Sequence, residues 1–313
     1  MTEVHHWGGE TRTIAVEGGE ISIVVCKNAT NRCSGLTFIL GAANIPLSKY
    51  SSIKDTLLSI NNVVVGIYVN VLSIKQGVSH RKKAKNVREV YDQLKKEFNV
   101  SKYNIVSHSI GGKIALLAAA LYDEDKSIKS IIALDPVDQT PSEFTKLPPK
   151  GKKVNPDNLS LLETVTDADI IMTVTESGFF ISKNHNARAI HKNNRLNNKI
   201  KLISHRNATH MAYCDEKEGG YSWKAVMEVG TGGEAAERNR NTRNDALEII
   251  KNQISGKQIM NVSGVTKKTG KTMKDFGKGL KNSLNEIKGD VKNVTSGTAN
   301  KFLMKNMLKS VAK

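Results

Sequence analysis

Residues 103–117 read Tyr103-Asn104-Ile105-Val106-Ser107-His108-Ser109-Ile110-Gly111-Gly112-Lys113-Ile114-Ala115-Leu116-Leu117. A short β-branched run enters a cluster of small residues, and an apolar helical pattern leaves it. Such a strand–turn–helix lifts the central Ser109 hydroxyl above the carboxyl edge of a sheet. The strand and helix approach so closely that the positions two before and two after the serine must be small, and Ser107 and Gly111 meet that demand. The N–H of Ile110, at the helix start, would then face an oxyanion forming beside Ser109. The ordinary alternative is a serine that only caps the helix.

Working outward, further strand-like runs fall at 13–17, 21–27, 36–41, 63–70, 128–134, 170–175 and 200–204. Two helical stripes lie between them, one through Val87, Val90, Tyr91, Leu94 and Phe98, the other through Ile114, Leu117, Ala118 and Leu121. Strand and helix alternate from about residue 63, which predicts an α/β chain with a mainly parallel central sheet and helices on both faces. The first two runs, separated by Gly18-Gly19, read as an antiparallel hairpin. Residues 139–169 carry four of the six prolines and read as a surface excursion or lid; 178–198 and 215–243 read as long connections, and 244–254 as a closing helix.

A nucleophilic serine requires a base, and a base requires an orienting carboxylate. Of the histidines after Ser109, His210 follows the last strand-like run, where a loop could carry it over the turn; His205 at the strand's end is the reserve, and His185 and His191 fall in a polar connection. The carboxylate candidates are Asp135, directly after the 128–134 run, Glu176 after 170–175, and Asp138. Asp135 precedes Pro136, so a simple turn role is its competing reading. The second oxyanion N–H is assigned to Ala42, in the turn Gly41-Ala42-Ala43-Asn44 after 36–40.

These motifs resemble the α/β-hydrolase fold and, within it, plant-type chlorophyllases and more distantly bacterial lipases and polyester hydrolases. The carrying residues are Ser107-His108-Ser109-Ile110-Gly111-Gly112-Lys113, which is similar to a chlorophyllase Gly-His-Ser-Arg-Gly-Gly-Lys, then Leu134-Asp135-Pro136-Val137-Asp138 and His210-Met211, over roughly residues 20–255. The resemblance implies a serine carboxylic ester hydrolase with the order Ser109, Asp135, His210, no cofactor and no metal, acting on an apolar or lipid-like ester. Departures are Ser107 for Gly, Ile110, and Leu40 where many relatives carry His before Gly41. An acyltransferase using the same triad, and an inactive scaffold of this fold, remain open alternatives.

The composition divides the chain into a body, 1–254, and a tail, 255–313. The tail carries thirteen Lys against Asp275, Glu286 and Asp290, which is +10 of the total net charge of +17. Met273, Phe276, Leu280, Leu284, Ile287, Val291 and Val294 share one helical face within it. A lysine-ringed apolar face over 265–313 suits an anionic membrane surface. Nucleic acid is disfavoured, because the tail holds no Arg and only two aromatics. Its many glycines favour a solvated extension in water. The three cysteines, Cys26, Cys33 and Cys214, show no metal-ligand spacing, and a Cys26–Cys33 bridge stays open. The first residues lack the pattern of a signal peptide and no run approaches about 20 apolar residues, so the expectation is a soluble, cytoplasmic protein, with peripheral membrane contact through its tail.

Overall fold

A computed structural model describes residues 7–30, 33–43, 45–69, 80–138, 159, 166–177, 186–193, 200–215 and 233–257. Eight strands form one sheet: β1 (Glu10–Val16), β2 (Gly19–Cys26), β3 (Gly35–Leu40), β4 (Asn62–Ile67), β5 (Tyr103–His108), β6 (Ile128–Leu134), β7 (Asp169–Ser177) and β8 (Lys201–Thr209). Their spatial order is β1-β2-β4-β3-β5-β6-β7-β8. β1 and β2 form the expected hairpin, and β2 also pairs antiparallel with β4; every pairing from β4 to β8 is parallel.

Parallel strands covered on both faces are buried on both, and β5 is buried at all six of its residues. Helices α2 (His80–Glu97) and α3 (Ile110–Leu121) cover one face. There Val87, Val90, Tyr91, Leu94, Ile114 and Leu117 pack on Phe38, Ile105 and Ile131. Helices α1 (Ser51–Ser59) and α5 (Gly233–Ile254) cover the other, where Ile53, Leu57, Ile249 and Ile250 meet Ile39, Val106 and Ile132. A short α4 (Ala187–Asn193) lies between β7 and β8.

Two expectations change. The connection 178–198 contains α4, whose Ala187 and Ile190 are buried. The closing helix begins at Gly233, well before residue 244, because the Glu-Ala-Ala-Glu-Arg stretch favours helix and Asn239 and Thr242 extend its buried face. The 139–169 excursion lies outside the described residues apart from Leu159 and 166–169, and so does the tail beyond residue 257. All three cysteines are free, with Cys26 and Cys214 buried. Among the described residues, no helix is long and apolar enough to cross a membrane.

Candidate active site

The parallel strands deliver their carboxyl ends to one edge of the sheet, and the candidate residues gather there. Ser109 joins β5 to α3 with φ 57° and ψ −124°, a backbone conformation that a side-chain-bearing residue adopts only under constraint. The constraint is visible in its hydrogen bonds. Ser109 N–H donates to Leu134 O at 3.1 Å, and Ser109 O accepts from Gly112 N at 2.9 Å and Val137 N at 3.1 Å, so the end of β6 grips the turn. Although Ser109 stands at the N-cap position of α3, its side chain makes no capping bond. The ordinary capping role therefore does not explain the serine.

Close packing accounts for the glycines that follow. A Cβ on Gly111 would lie 2.2 Å from Leu40 O and 2.6 Å from Gly41 O, and one on Gly112 would lie 2.6 Å from Pro136 Cβ. Ser107, the departure from glycine two residues before Ser109, is buried and directs its hydroxyl to Ile132 O at 3.4 Å.

Asp135 follows β6 directly and also has positive φ, 43°. Its amide donates to Thr173 O and Thr173 Oγ1, both at 3.1 Å, and its carboxylate accepts from Thr175 N at 3.3 Å and from the Thr175 hydroxyl. β7 thus aims this carboxylate at His210, whose Nδ1 lies 2.8 Å from Asp135 Oδ2. A carboxylate only accepts, so the Nδ1 proton sits on this bond and the lone pair of a neutral ring is on Nε2.

His210 opens a 3-10 turn, His210–Tyr213, directly after β8. Asn239 Oδ1 on α5 accepts from Thr209 N at 3.1 Å and Thr209 Oγ1 at 3.3 Å on the entry side. On the exit side Arg243 Nη1 donates to Cys214 O at 2.6 Å, while Asp215 takes Ser52 N–H at 2.8 Å and Ser52 Oγ–H at 2.5 Å. The turn is therefore fastened to α1 and α5, and its imidazole comes to rest with its centroid 4.7 Å from the ring of His108, the residue immediately before Ser109.

Of the reserve residues, Asp138 and His205 have hydrogen-bond partners other than the Asp135–His210 pair. Asp138 forms a buried ion pair with Lys113 Nζ on α3 at 2.8 Å and accepts from Leu159 N at 3.0 Å. His205 lies within β8 opposite Thr175, and its Nδ1 meets Tyr213 Oη at 2.9 Å; burial holds its pKa below the usual histidine value. Glu176 lies within β7, next after Thr175; its side chain is outside the described residues. His191 is exposed on α4, within 3.3 Å of Ile200 O, and His185 lies outside the described residues.

For the oxyanion donors the structure differs from expectation at one position. Ile110 is the first residue of α3, where a helix has no internal acceptor for its N–H. The Ala42 N–H, by contrast, donates to the buried hydroxyl of Tyr50 at 2.8 Å. Gly41 is what admits the ring, since a Cβ there would lie 2.8 Å from Tyr50 Cε2. Ala42 is thus engaged by the protein itself in this state.

Sequence reasoning did not single out Tyr50 or His108. Tyr50 Oη lies 3.0 Å from His108 Nδ1, and His108 Nε2 lies 2.9 Å from the carbonyl oxygen of His210. Burial drives the His108 pKa well below the usual histidine value, with the neighbouring His210 adding to the effect, and burial raises that of Tyr50 well above the usual phenol. Both side chains are neutral. The buried thiols are not activated either: burial pushes Cys214, whose Sγ lies 3.8 Å from His108 Nδ1, up to about 12, and Cys26, on β2 opposite Val64, up to about 11. Among the described residues, no group of three His, Cys, Asp or Glu side chains is placed to hold a metal ion.

Comparisons with known proteins agree with this architecture. Residues 75–162 match the family model described as the alpha/beta hydrolase fold. No curated protein matches the chain. Among solved structures it is similar to Est1E from Butyrivibrio proteoclasticus, at 17% identity and a TM-score of 0.53 over 79% of this chain and 100% of that one. The same protein with ferulic acid bound aligns at 16% identity and a TM-score of 0.55, over 78% and 99% of the two chains. A variant of the esterase rPPE aligns at 12% identity and a TM-score of 0.54, over 81% of this chain and 85% of that one.

Proposed function

We propose that this chain, which has the α/β-hydrolase fold, is a serine hydrolase of carboxylic esters, with Ser109 as nucleophile, His210 as base and Asp135 as orienting acid. The observation that carries the reading is a pairing. A serine sits at a constrained turn before a helix without capping it, and a histidine on the same sheet edge is oriented at 2.8 Å by a buried aspartate. Esterases among the structural neighbours lend support as analogues of the fold.

The steps follow from the tautomer. His210 Nε2 takes the Ser109 proton as Oγ attacks the ester carbonyl, and the resulting imidazolium is stabilised by Asp135. The carbonyl oxygen gains negative charge and meets the Ile110 N–H at the positive end of α3. The protonated His210 then gives its proton to the departing alcohol, leaving an acyl group on Ser109. Water, deprotonated by the same imidazole, releases the acid and restores the serine.

Ser109→Ala removes the attacking atom at the cost of one small group. Turnover of p-nitrophenyl esters should fall by about 10³-fold or more, and labelling by a fluorophosphonate should vanish, with circular dichroism unchanged. Unchanged turnover in this variant rejects the assignment.

For the substrate we propose an apolar or lipid-like ester, on the resemblance in sequence and on the Lys-rich segment 265–313. That segment should gain helix on vesicles of anionic lipid and none on zwitterionic ones. Circular dichroism of the full chain with no gain on anionic vesicles rejects the membrane role.

A further inference from the structure

Behind the proposed triad runs a second chain of hydrogen bonds whose direction is forced at every link. The His210 carbonyl can only accept, so His108 Nε2, at 2.9 Å, carries the proton. A neutral imidazole has one proton, so Nδ1 must accept, and its partner at 3.0 Å is the Tyr50 hydroxyl. The Tyr50 oxygen in turn accepts the Ala42 N–H at 2.8 Å. The series therefore runs from Ala42 N–H through Tyr50 and His108 to His210 C=O, connecting the loop after β3 with the backbone of the proposed base.

Its members are not there by default. A wholly buried imidazole is costly to place unless both nitrogens are satisfied, and an apolar residue would fill the same space without that requirement. His108 is 1% exposed, Tyr50 is 1% exposed, and His108 is surrounded by rings, with Tyr50, His210 and Tyr213 at centroid distances of 5.9, 4.7 and 5.6 Å. Cys214 Sγ, 3.8 Å from His108 Nδ1, closes the remaining side. Asp135 orients the His210 ring through Nδ1, and α1 and α5 hold the turn on either side of His210. The carbonyl bond from His108 holds the His210 backbone directly.

We propose that His108 and Tyr50 are positioning residues: His108 clamps the main chain of the base beside the elbow, and Tyr50, by donating to Nδ1, supports the tautomer that makes the clamp. This rests on the serine-hydrolase reading above. Neither side chain exchanges a proton with substrate, so their loss should lower the rate of the chemical step and leave substrate binding alone.

The test uses the full chain, an active-site count by fluorophosphonate stoichiometry, and p-nitrophenyl ester kinetics per labelled site. His108→Phe keeps a ring but has no N–H for the His210 carbonyl; kcat should fall roughly tenfold or more with KM within about twofold. His108→Gln restores a side-chain N–H of similar reach and should recover most of the lost kcat. Tyr50→Phe deletes only the hydroxyl, keeps the fold available if His108→Phe does not fold, and should lower kcat by about fivefold. A merely structural role would reduce the melting temperature or the labelled fraction while leaving kcat per labelled site at the wild-type value, and that result overturns the proposal. So does a His108→Gln variant no better than His108→Phe, or a Tyr50→Phe kcat that is unchanged or raised. If wild type is not labelled while Ser109→Ala turns over equally well, the hydrolase reading itself falls, and the positioning role with it.

Discussion

Two buried carboxylates stand three positions apart after β6 and do opposite things. Asp138 meets Lys113 Nζ at 2.8 Å, with side-chain exposures of 7% and 0%, and also receives Leu159 N–H. Asp135 meets His210 at 2.8 Å, with exposures of 2% and 6%. The geometry of the two pairs is nearly the same. The partners differ in what they offer: an ammonium has donors alone, whereas an imidazole that donates through Nδ1 keeps a lone pair on Nε2. One pair is therefore a fixed tie between α3 and the loop after β6, and the other is suited to proton transfer.

The largest expected effect comes from breaking the second pair. Asp135→Asn preserves size but puts an NH2 donor where one carboxylate oxygen accepted, which favours the wrong tautomer of His210; ester turnover should fall by roughly 10³- to 10⁴-fold, with the thermal midpoint little changed. A comparable loss from Asp138→Asn with Asp135→Asn nearly active would exchange the two roles.

Breaking the first pair should show in stability. Lys113→Met leaves the Asp138 charge buried without its ammonium, and chemical denaturation should show a loss of about 3–5 kcal/mol. Adding Asp138→Asn removes the second charge and keeps an acceptor for Leu159 N–H, so the double variant should recover most of that loss. If Lys113→Met is neutral in denaturation, the ion pair does not tie α3 to the loop after β6.

The elements that were legible share a physical cause: each is set by interactions local in sequence. The β-branched runs around β5 and β6 and the small residues flanking Ser109 answer to backbone sterics within a few positions. Even so, the start of α5 and the existence of α4 were missed, because short or polar helices depend on packing that lies far along the chain. Asp135 ranked first among the carboxylates through family resemblance, since its neighbour Asp138 has the same chemistry at almost the same place.

The amino-acid sequence alone determined an α/β chain with a serine at a tight strand-to-helix bend, and a histidine after its last strand; periodicity and small-residue sterics require nothing from distant segments. Only the tertiary structure decided that Asp135 faces His210 while Asp138 is held by Lys113, that the Ala42 amide is taken by Tyr50, and that His108 Nε2 meets the His210 carbonyl. Those choices join residues from 8 to 102 positions apart. Distances of a few ångströms between groups on different elements of the fold decide them, and no local pattern encodes such distances.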